Sequence, residues 1–399
     1  MYDRFIRSLT TMQVVLFDTP ERDSLYPFTE IRPVAGIRTG ILTIRERWEY
    51  LLQQPVSVLT ESYLAALYPA VTGADLLYID ARLMPTEQLI AAIQSLKPNQ
   101  ALLHKQQLLA VRRNEVLSFG FTVHELSGVE EKQFPFDIQL LRFPFEISLW
   151  NEQFIKDDFK MITAGKSSQP ISSTNQVIAP ENVFIEEGAV VECAVINASA
   201  GPVYIGKNSL VMEGSLIRGP FAMLEKTVVK MGSKIYGATT AGKQCTIGGE
   251  IKNVVFFDYS NKAHDGYMGD AVIGEWCNIG AGTSCSNIKN TAGEVKVWNQ
   301  RQRQWITAGM KCGVLMGDFT RTAINTSLNT GTVTGICSNL IKHGFLPKYI
   351  RDFTWNTSTE ERYVLEKALK DIGNWMQLKQ QQLSEELSSV ITDLYSKQS

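Results

Sequence analysis

From residue 205 onward an apolar residue returns at every sixth position: Ile205, Val211, Ile217, Met223, Val229 and Ile235, with Ala241 and Ile247 on the same count. Hydrophobic residues make up 44% of the chain, so chance would fill fewer than half of these slots and the run is a signal. It predicts a parallel β-helix shaped as a triangular prism. Each face is one short strand of a coil of about 18 residues, and the periodic residue points inward. A glycine follows the periodic residue at Gly248, Gly274 and Gly280 and is expected to permit the sharp corner between faces. Strands stack coil on coil, so only the two ends of such a prism expose unpaired edges.

The count is interrupted at 254–270 and at 288–311, then resumes with Met316, Thr322 and Leu328. The second interruption holds two alternating stretches, 294–298 and 303–307, which predict a projecting β-hairpin. The first holds His264, beside Asp265, Gly266 and Tyr267. A histidine in a short break from a rigid solenoid is a candidate for catalysis rather than packing.

Upstream the pattern changes. Residues 13–17 read as a buried strand ending in Asp18, and 76–79 as another ending in Asp80. Residues 41–53 predict a helix with Trp48, Leu51 and Leu52 on its apolar side, and 86–95 a helix capped by Thr86. Strands alternating with helices predict an α/β domain with a parallel sheet, in which ligands bind at the strand C-termini where Asp18 and Asp80 fall. Phe143, Phe145, Leu149 and Trp150 read as packing residues that close this domain. The polar stretch 163–176 marks a boundary. Three regions result: 1–165, 177–350 and 358–396. The last opens on a capping-box pattern at 358–361. It continues with Leu365, Leu369, Ile372, Met376, Leu383, Leu387, Val390 and Leu394, which predicts one long amphipathic α-helix. The heptad lapses at Lys379, which favours packing on the body over an independent coiled coil.

Composition narrows the classes. A length of 399 residues implies two or three domains, and 20% charged residues is the share of an ordinary globular protein. A net charge of −2 with interspersed signs argues against bulk nucleic-acid or membrane binding, though not against a local phosphate site. The apolar run at 14–17 is too short for a signal peptide, no run is long enough to span a membrane, and a cytoplasmic location is expected. Met12, just before the first strand, is an alternative start. The six cysteines form no C-x-x-C pair and no zinc spacing, so they read as reduced, small apolar residues inside the solenoid.

Acyl transfer from a thioester to an amine needs a base, donors for the developing oxyanion, and alignment of both substrates. Among the four histidines, His264 is the best placed base: His104 and His124 fall at the poorly marked end of the first domain and His343 in a lysine-rich loop. Its surroundings resemble the acetyltransferase half of the bifunctional UDP-N-acetylglucosamine pyrophosphorylase/glucosamine-1-phosphate N-acetyltransferase family. The resemblance rests on His264, Tyr267, Gly269-Asp270, the run Asn278-Ile279-Gly280-Ala281-Gly282-Thr283 and Asn287, with Glu250-Ile251-Lys252 ahead of them. It implies the left-handed form of the β-helix and acetyl-CoA as co-substrate. It implies His264 as general base, Asn287 holding the donor and reacting centre, and the Ile324 N–H as oxyanion donor. Lys252, Tyr267, Asn278 and Lys311 would bind the sugar phosphate. Where the family carries a phosphate-binding arginine this chain has Met223, and either Arg218 or Lys226 compensates or the substrate differs. The hairpin at 293–308 looks like the insertion of shorter relatives. A homotrimer with sites between prisms is implied, and Lys342 and Lys348 are candidates for coenzyme A phosphates.

The first domain is similar to the sugar-phosphate nucleotidyltransferase domain in the run Leu25-Tyr26-Pro27-Phe28-Thr29, then Arg32-Pro33, and in the strand ending at Asp80, where that family holds magnesium. The implied nucleotide ligands are Asp18, Arg22, Arg32 and Asp80, with Mg²⁺ and UTP. The family's glycine-rich loop is replaced by 18–24, which has no glycine, and backbone amides cannot then approach a triphosphate closely. Arg22, Arg32 and Arg38 either stand in as phosphate ligands or are surface charges of a degenerate domain. Three functions remain in play. The first is acetyl-CoA-dependent N-acetylation of an amino-sugar 1-phosphate, glucosamine-1-phosphate foremost, coupled or once coupled to uridylyl transfer. The second is nucleotidyl transfer alone, with the solenoid as a trimerising scaffold. The third is a non-catalytic scaffold, against which the His–Tyr–Asn–Asn spacing counts.

Overall fold

The computed structural model describes residues 12–342, 344–356, 359 and 361–397. His343 and Ser358, on which the capping-box expectation rests, lie outside the described residues. The chain divides into two compact units, one of residues up to 22, 32–37 and 43–142, the other of 23–31, 38–42 and everything from 143 onward.

The first unit is an α/β domain on one sheet of order β2-β1-β3-β5-β4-β6, formed by β1 (Gln13–Phe17), β2 (Val56–Leu59), β3 (Leu76–Asp80), β4 (Gln100–His104), β5 (Gln107–Arg113) and β6 (Glu130–Gln133). β1 runs parallel to β2 and β3, as expected. The sheet is mixed rather than wholly parallel, because β4 and β5 form a tight antiparallel hairpin through Lys105 and β5 then pairs antiparallel with β3. Helix α1 (Ile44–Leu52) starts at a capping box made by Thr43 and Glu46, and α2 (Glu87–Gln94) starts at the expected Thr86 cap, whose hydroxyl accepts from the Leu89 amide at 3.2 Å.

The second unit is built on a left-handed parallel β-helix, and its inward register is the one the sequence spelled out. One face stacks Ile205, Met223, Ala241, Phe256, Ile273, Met316, Thr334 and Ile350. The second stacks Val191, Val211, Val229, Ile247 and Lys262, and the third Val177, Ile196, Ile217, Ile235, Ile251, Met268, Cys285 and Leu328. The expected break at 254–270 is not an excursion. Ladder pairing runs through Glu250–Phe256, Asn261–Lys262 and Tyr267–Ile273, and the coil is merely shortened. His264 therefore sits at a corner of a continuing prism.

The glycines after the inward residues have a different role from the one expected. Gly206, Gly274, Gly280 and Gly317 are not in the left-handed region. Instead, a Cβ on each would lie 2.4–2.8 Å from backbone of the next coil. The corner conformation is taken by other residues, with positive φ at Asn208, Lys226, Gln244, Tyr259, Trp276 and Phe319 on successive coils. The hairpin is present at Val295–Asn299 and Gln304–Gly309. It does not project freely: Val295 and Val297 are buried, and the Lys296 carbonyl passes so close to Gly331 that a Cβ there would meet it at 2.6 Å. Five of the six cysteines are buried and all are free thiols.

Leu149 and Trp150, expected to close the first domain, lie on helix α3 (Glu146–Thr163), which packs in the second unit. The outward residues Phe184, Tyr204, Ala222 and Leu224 of one face form an apolar cluster with Ile41 and Ile155. Asn151, fully buried on α3, donates to the Ala238 carbonyl at 2.7 Å and accepts from the Gly40 amide at 2.7 Å and the Thr240 hydroxyl at 3.1 Å. Asp158 accepts from the Ile41 and Leu42 amides. Two buried polar side chains thus tie 38–42 and α3 to the prism.

The tail forms two helices where one was expected, α4 (Leu365–Gln377) and α5 (Glu385–Ser396). The break falls where the heptad lapses. Lys379 turns into the solenoid and donates to the Gln244 carbonyl and to Asn261 Oδ1 at 2.9 Å, and Gln380 takes a positive φ. Ser384 caps α5. Asn151→Ala leaves a buried carbonyl and a buried amide without partners and is expected to cost roughly 2–4 kcal/mol. Chemical denaturation measures it, and a change below about 0.5 kcal/mol contradicts the tie.

Candidate active site

The short coil that carries His264 is shaped by glycine and lysine. Gly266 has φ +120°, and a Cβ there would lie 2.1 Å from the Thr283 carbonyl, so only glycine fits the turn into the next strand. His264 itself is exposed. Lys262 is the opposite, 1% exposed and pointing into the prism. Its ammonium donates to the Gly248 carbonyl at 3.4 Å and, in a short contact, to the His264 carbonyl. Burial pushes the Lys262 pKa down to about 8, with Asp265 only partly offsetting it.

The next corner of the same coil collects polar groups. Tyr267 lies over Gly269, where a Cβ would be 2.3 Å from its hydroxyl and 3.0 Å from Asn287 Nδ2. Burial, then the charges of Asp270 and Glu250, raise the Tyr267 phenol to about 12, while its hydrogen bond with Asn287 works in the other direction. Asp270, at positive φ, is the hub. Its carboxylate accepts from Asn253 Nδ2 at 2.7 Å and from Asn287 Nδ2 in a shorter contact. The backbone adds Lys311 to the group: the Cys312 amide donates to the Asn287 carbonyl at 3.0 Å and the Gly313 amide to the Asp270 carbonyl at 2.7 Å. Lys252 pairs with Gly269 one coil away, about 4.8 Å along the ladder. Arg218 stands in the same column beyond Tyr236, so it is two further coils away, and both basic side chains are exposed.

His264, Tyr267, Asn287, Lys252 and Lys311 thus lie on neighbouring corners and rungs of one stretch of prism. Ile324 lies two coils beyond His264 at the equivalent corner, where a Cβ on Gly280 would be 2.7 Å from its amide nitrogen. Asn278 is elsewhere. It bridges Asn261 and Arg321 on the second face, the face that receives Lys379 and where Arg321 lies over the Trp375 ring at 5.5 Å. Within one chain it does not meet Tyr267. Sequence reasoning gave no role to Asp270, Asn253 or Lys262. The signal for Asp270 was its place at a corner, two residues after the inward Met268 and three before the inward Ile273. Lys262 was legible as a cation on an aliphatic count, but only once the coil was known to be shortened.

In the first unit the expected nucleotide ligands are turned inward. Asp18 is buried, paired to Arg22 at 3.2 Å, and accepts from the Thr60 hydroxyl and the Val34 amide. Burial raises its pKa and Arg22 opposes this. Arg22 also donates to the Arg32 carbonyl, and Arg22 and Arg32 are both buried. Arg38, counted with the second unit, pairs with Asp258 at 3.4 Å. Asp80 is gripped by a bidentate Arg82, with Nε at 3.0 Å and Nη2 at 2.6 Å, and also accepts from Gln107. A carboxylate already forked by a guanidinium is a poor magnesium ligand. With both Asp80 oxygens held by Arg82, the carboxylate as it stands does not fit the ion expected there; among the described residues no group of three or more His, Cys, Asp or Glu is arranged to hold a metal.

The fold and these corners define a chain with a sugar nucleotidyltransferase-like domain ahead of a hexapeptide-type solenoid. Residues 14–167 match the family described as sugar nucleotidyl transferase. The chain is 30% identical over 158 residues to the bifunctional protein GlmU of Rippkaea orientalis, covering 34% of this chain and 33% of that protein. It is 28% identical over 141 residues to the bifunctional protein GlmU of Synechococcus elongatus, covering 33% and 31%. It is also 36% identical over 86 residues to the bifunctional sugar-1-phosphate nucleotidylyltransferase/acetyltransferase of Sulfurisphaera tokodaii, covering 22% and 21%. The resemblance read from the residues is therefore borne out, while the matched stretch spans about a third or less of these relatives. No described helix is long and apolar enough to cross a membrane.

The depressed pKa of Lys262 has a definite sign in stability. The unfolded lysine titrates near 10.4 and the folded one near 8. Between these values the unfolded state binds more protons, so folding stability rises with pH through that window. Relative to Lys262→Met, the wild type is expected to gain on the order of 3 kcal/mol between pH 7.5 and 10.5. Paired denaturant titrations measure the difference, and a difference that stays flat with pH contradicts it.

Proposed function

We propose that the solenoid is an acetyl-CoA-dependent N-acetyltransferase acting on an amino-sugar 1-phosphate, with glucosamine-1-phosphate the first substrate to test. The observation that carries this reading is the exposed His264 on a corner next to the hydrogen-bonded Tyr267–Asn287–Asp270 group, with Lys252 and Lys311 beside it. The similarity to the bifunctional sugar-1-phosphate nucleotidylyltransferase/acetyltransferase of Sulfurisphaera tokodaii supports the same class.

In the proposed reaction the imidazole of His264 takes a proton from the sugar amine as its nitrogen attacks the thioester carbonyl. A C–N bond forms, the tetrahedral oxyanion collapses, the C–S bond breaks, and the proton passes to the departing thiolate. The Ile324 N–H would hold the oxyanion, Asn287 the donor end, and Lys252, Tyr267, Lys311 and Arg218 the sugar phosphate. Asn278 stands on a different face from Tyr267, so both reach one sugar only if two copies of the chain share the site. That geometry supports the homotrimer.

A second reading is nucleotidyl transfer alone, with the solenoid as a trimerising scaffold. The match over 14–167 favours it. The pairing of Asp18 with Arg22 and of Asp80 with Arg82 counts against it, because both carboxylates are already neutralised. Release of pyrophosphate from UTP and a sugar 1-phosphate, dependent on magnesium, would support this reading.

His264→Ala removes an exposed side chain and is expected to leave the melting temperature unchanged while acetyl transfer falls about 100- to 10,000-fold. Thiol release from acetyl-CoA in the presence of glucosamine-1-phosphate reads it. An unchanged rate in a folded variant would sink the proposal.

A further inference from the structure

Lys262 holds the inward position that Ile247 holds on the preceding coil, its direct partner in the ladder. A cation in that slot is costly, since removing an ammonium from water carries an effective penalty of several kcal/mol even after relaxation. Packing does not require it. Other inward slots of the same core are filled by Met223, Met268 and Met316, long flexible side chains of similar reach. Among the described residues no carboxylate lies within ion-pair distance of Lys262, and its two acceptors are both backbone carbonyls. One belongs to Gly248 and the other to His264, at the same corner of two successive coils.

Those two coils are closely stacked there. A Cβ on Gly249 would lie 2.7 Å from the His264 carbonyl. The His264 side chain is exposed, and among the described residues its imidazole has no hydrogen-bond partner. Nothing therefore fixes the ring from its own nitrogens. What fixes it is the backbone of residue 264, and that backbone is held through its carbonyl by the buried ammonium of Lys262.

We propose that Lys262 is a positioning residue for His264, a buried cation that staples the carbonyls of Gly248 and His264 and so sets where the imidazole stands. The proposal rests on the acyl-transfer reading of this corner. Lys262 touches neither substrate nor the reacting atoms. It acts by holding the base in line with the amine, and a misplacement of about 1 Å is enough to cost on the order of 100-fold in rate.

The test is Lys262→Met, with Lys262→Leu beside it, in the full-length protein. Both variants restore an apolar residue to the register and are expected to fold, with melting temperatures at or above the wild type at pH 7.5. The expected kcat for acetylation of glucosamine-1-phosphate falls about 10- to 100-fold, while KM for acetyl-CoA and for the sugar stays within about twofold. The proton signal of the His264 imidazole, assigned by its loss in His264→Ala, is expected to shift in both variants. An unaltered imidazole signal, an unaltered kcat, or loss of the fold in both variants would overturn the positioning role. If His264→Ala is inactive while Lys262→Met keeps full activity, only the positioning role fails. If His264→Ala is active, the acyl-transfer reading itself fails.

Discussion

The close approach of one coil to the next governs this molecule. Strands stack about 4.8 Å apart, and at Gly206, Gly274, Gly280 and Gly317 the backbones come so near that a single Cβ would strike the neighbouring coil. A prism under that constraint cannot spread to admit a bulky corner or shift to correct one. It shortens a coil, as between Ala241 and Phe256, or it extrudes chain between Ile273 and Met316, and in each case the inward ladder resumes. The positions of Tyr267, Gly269 and Lys252 follow from the ladder, because a residue's place in the column sets its distance from every other residue in it.

The same rigidity raises the stakes of every buried polar group. Lys262 is buried and Asp270 half-buried, and each is answered by specific partners: two carbonyls for the lysine, two asparagine amides for the aspartate. Their side chains do not face the proposed substrates in the way His264 does, yet they hold the corners from which His264, Tyr267 and Asn287 are displayed. In the first unit the same satisfaction of buried charge has another result. Asp18 and Asp80 spend their oxygens on Arg22, Thr60 and Arg82, so the carboxylates that would serve a nucleotide and its metal are committed to the fold.

The inward register was legible because a six-residue period depends only on side-chain identity along the chain, and Ile205 to Ile247 spell it without a gap. The candidate residues between 252 and 287 stood out by their spacing. Three-dimensional trade-offs were not. Nothing local says that α3 carries Asn151 and Asp158 to bind the solenoid and the 38–42 segment. Nothing in the spacing says that Asp80 is forked by Arg82, or that Asn278 falls on the second face of the prism and Tyr267 on the third. The tail helix divides where Lys379 finds acceptors on the prism, the Gln244 carbonyl and the Asn261 side chain, a tertiary contact that a smooth three- and four-residue pattern conceals. The glycines were found correctly and explained wrongly: their small size matters more here than their freedom to turn.

The most direct measurement is transfer of a labelled acetyl group from acetyl-CoA to glucosamine-1-phosphate by the wild-type protein, with and without UTP and magnesium. The account predicts an N-acetylated sugar phosphate at the same rate in both cases, because the proposed acetyl-transfer corner draws on neither nucleotide nor metal. Absence of labelled product together with magnesium-dependent pyrophosphate release from UTP would contradict it.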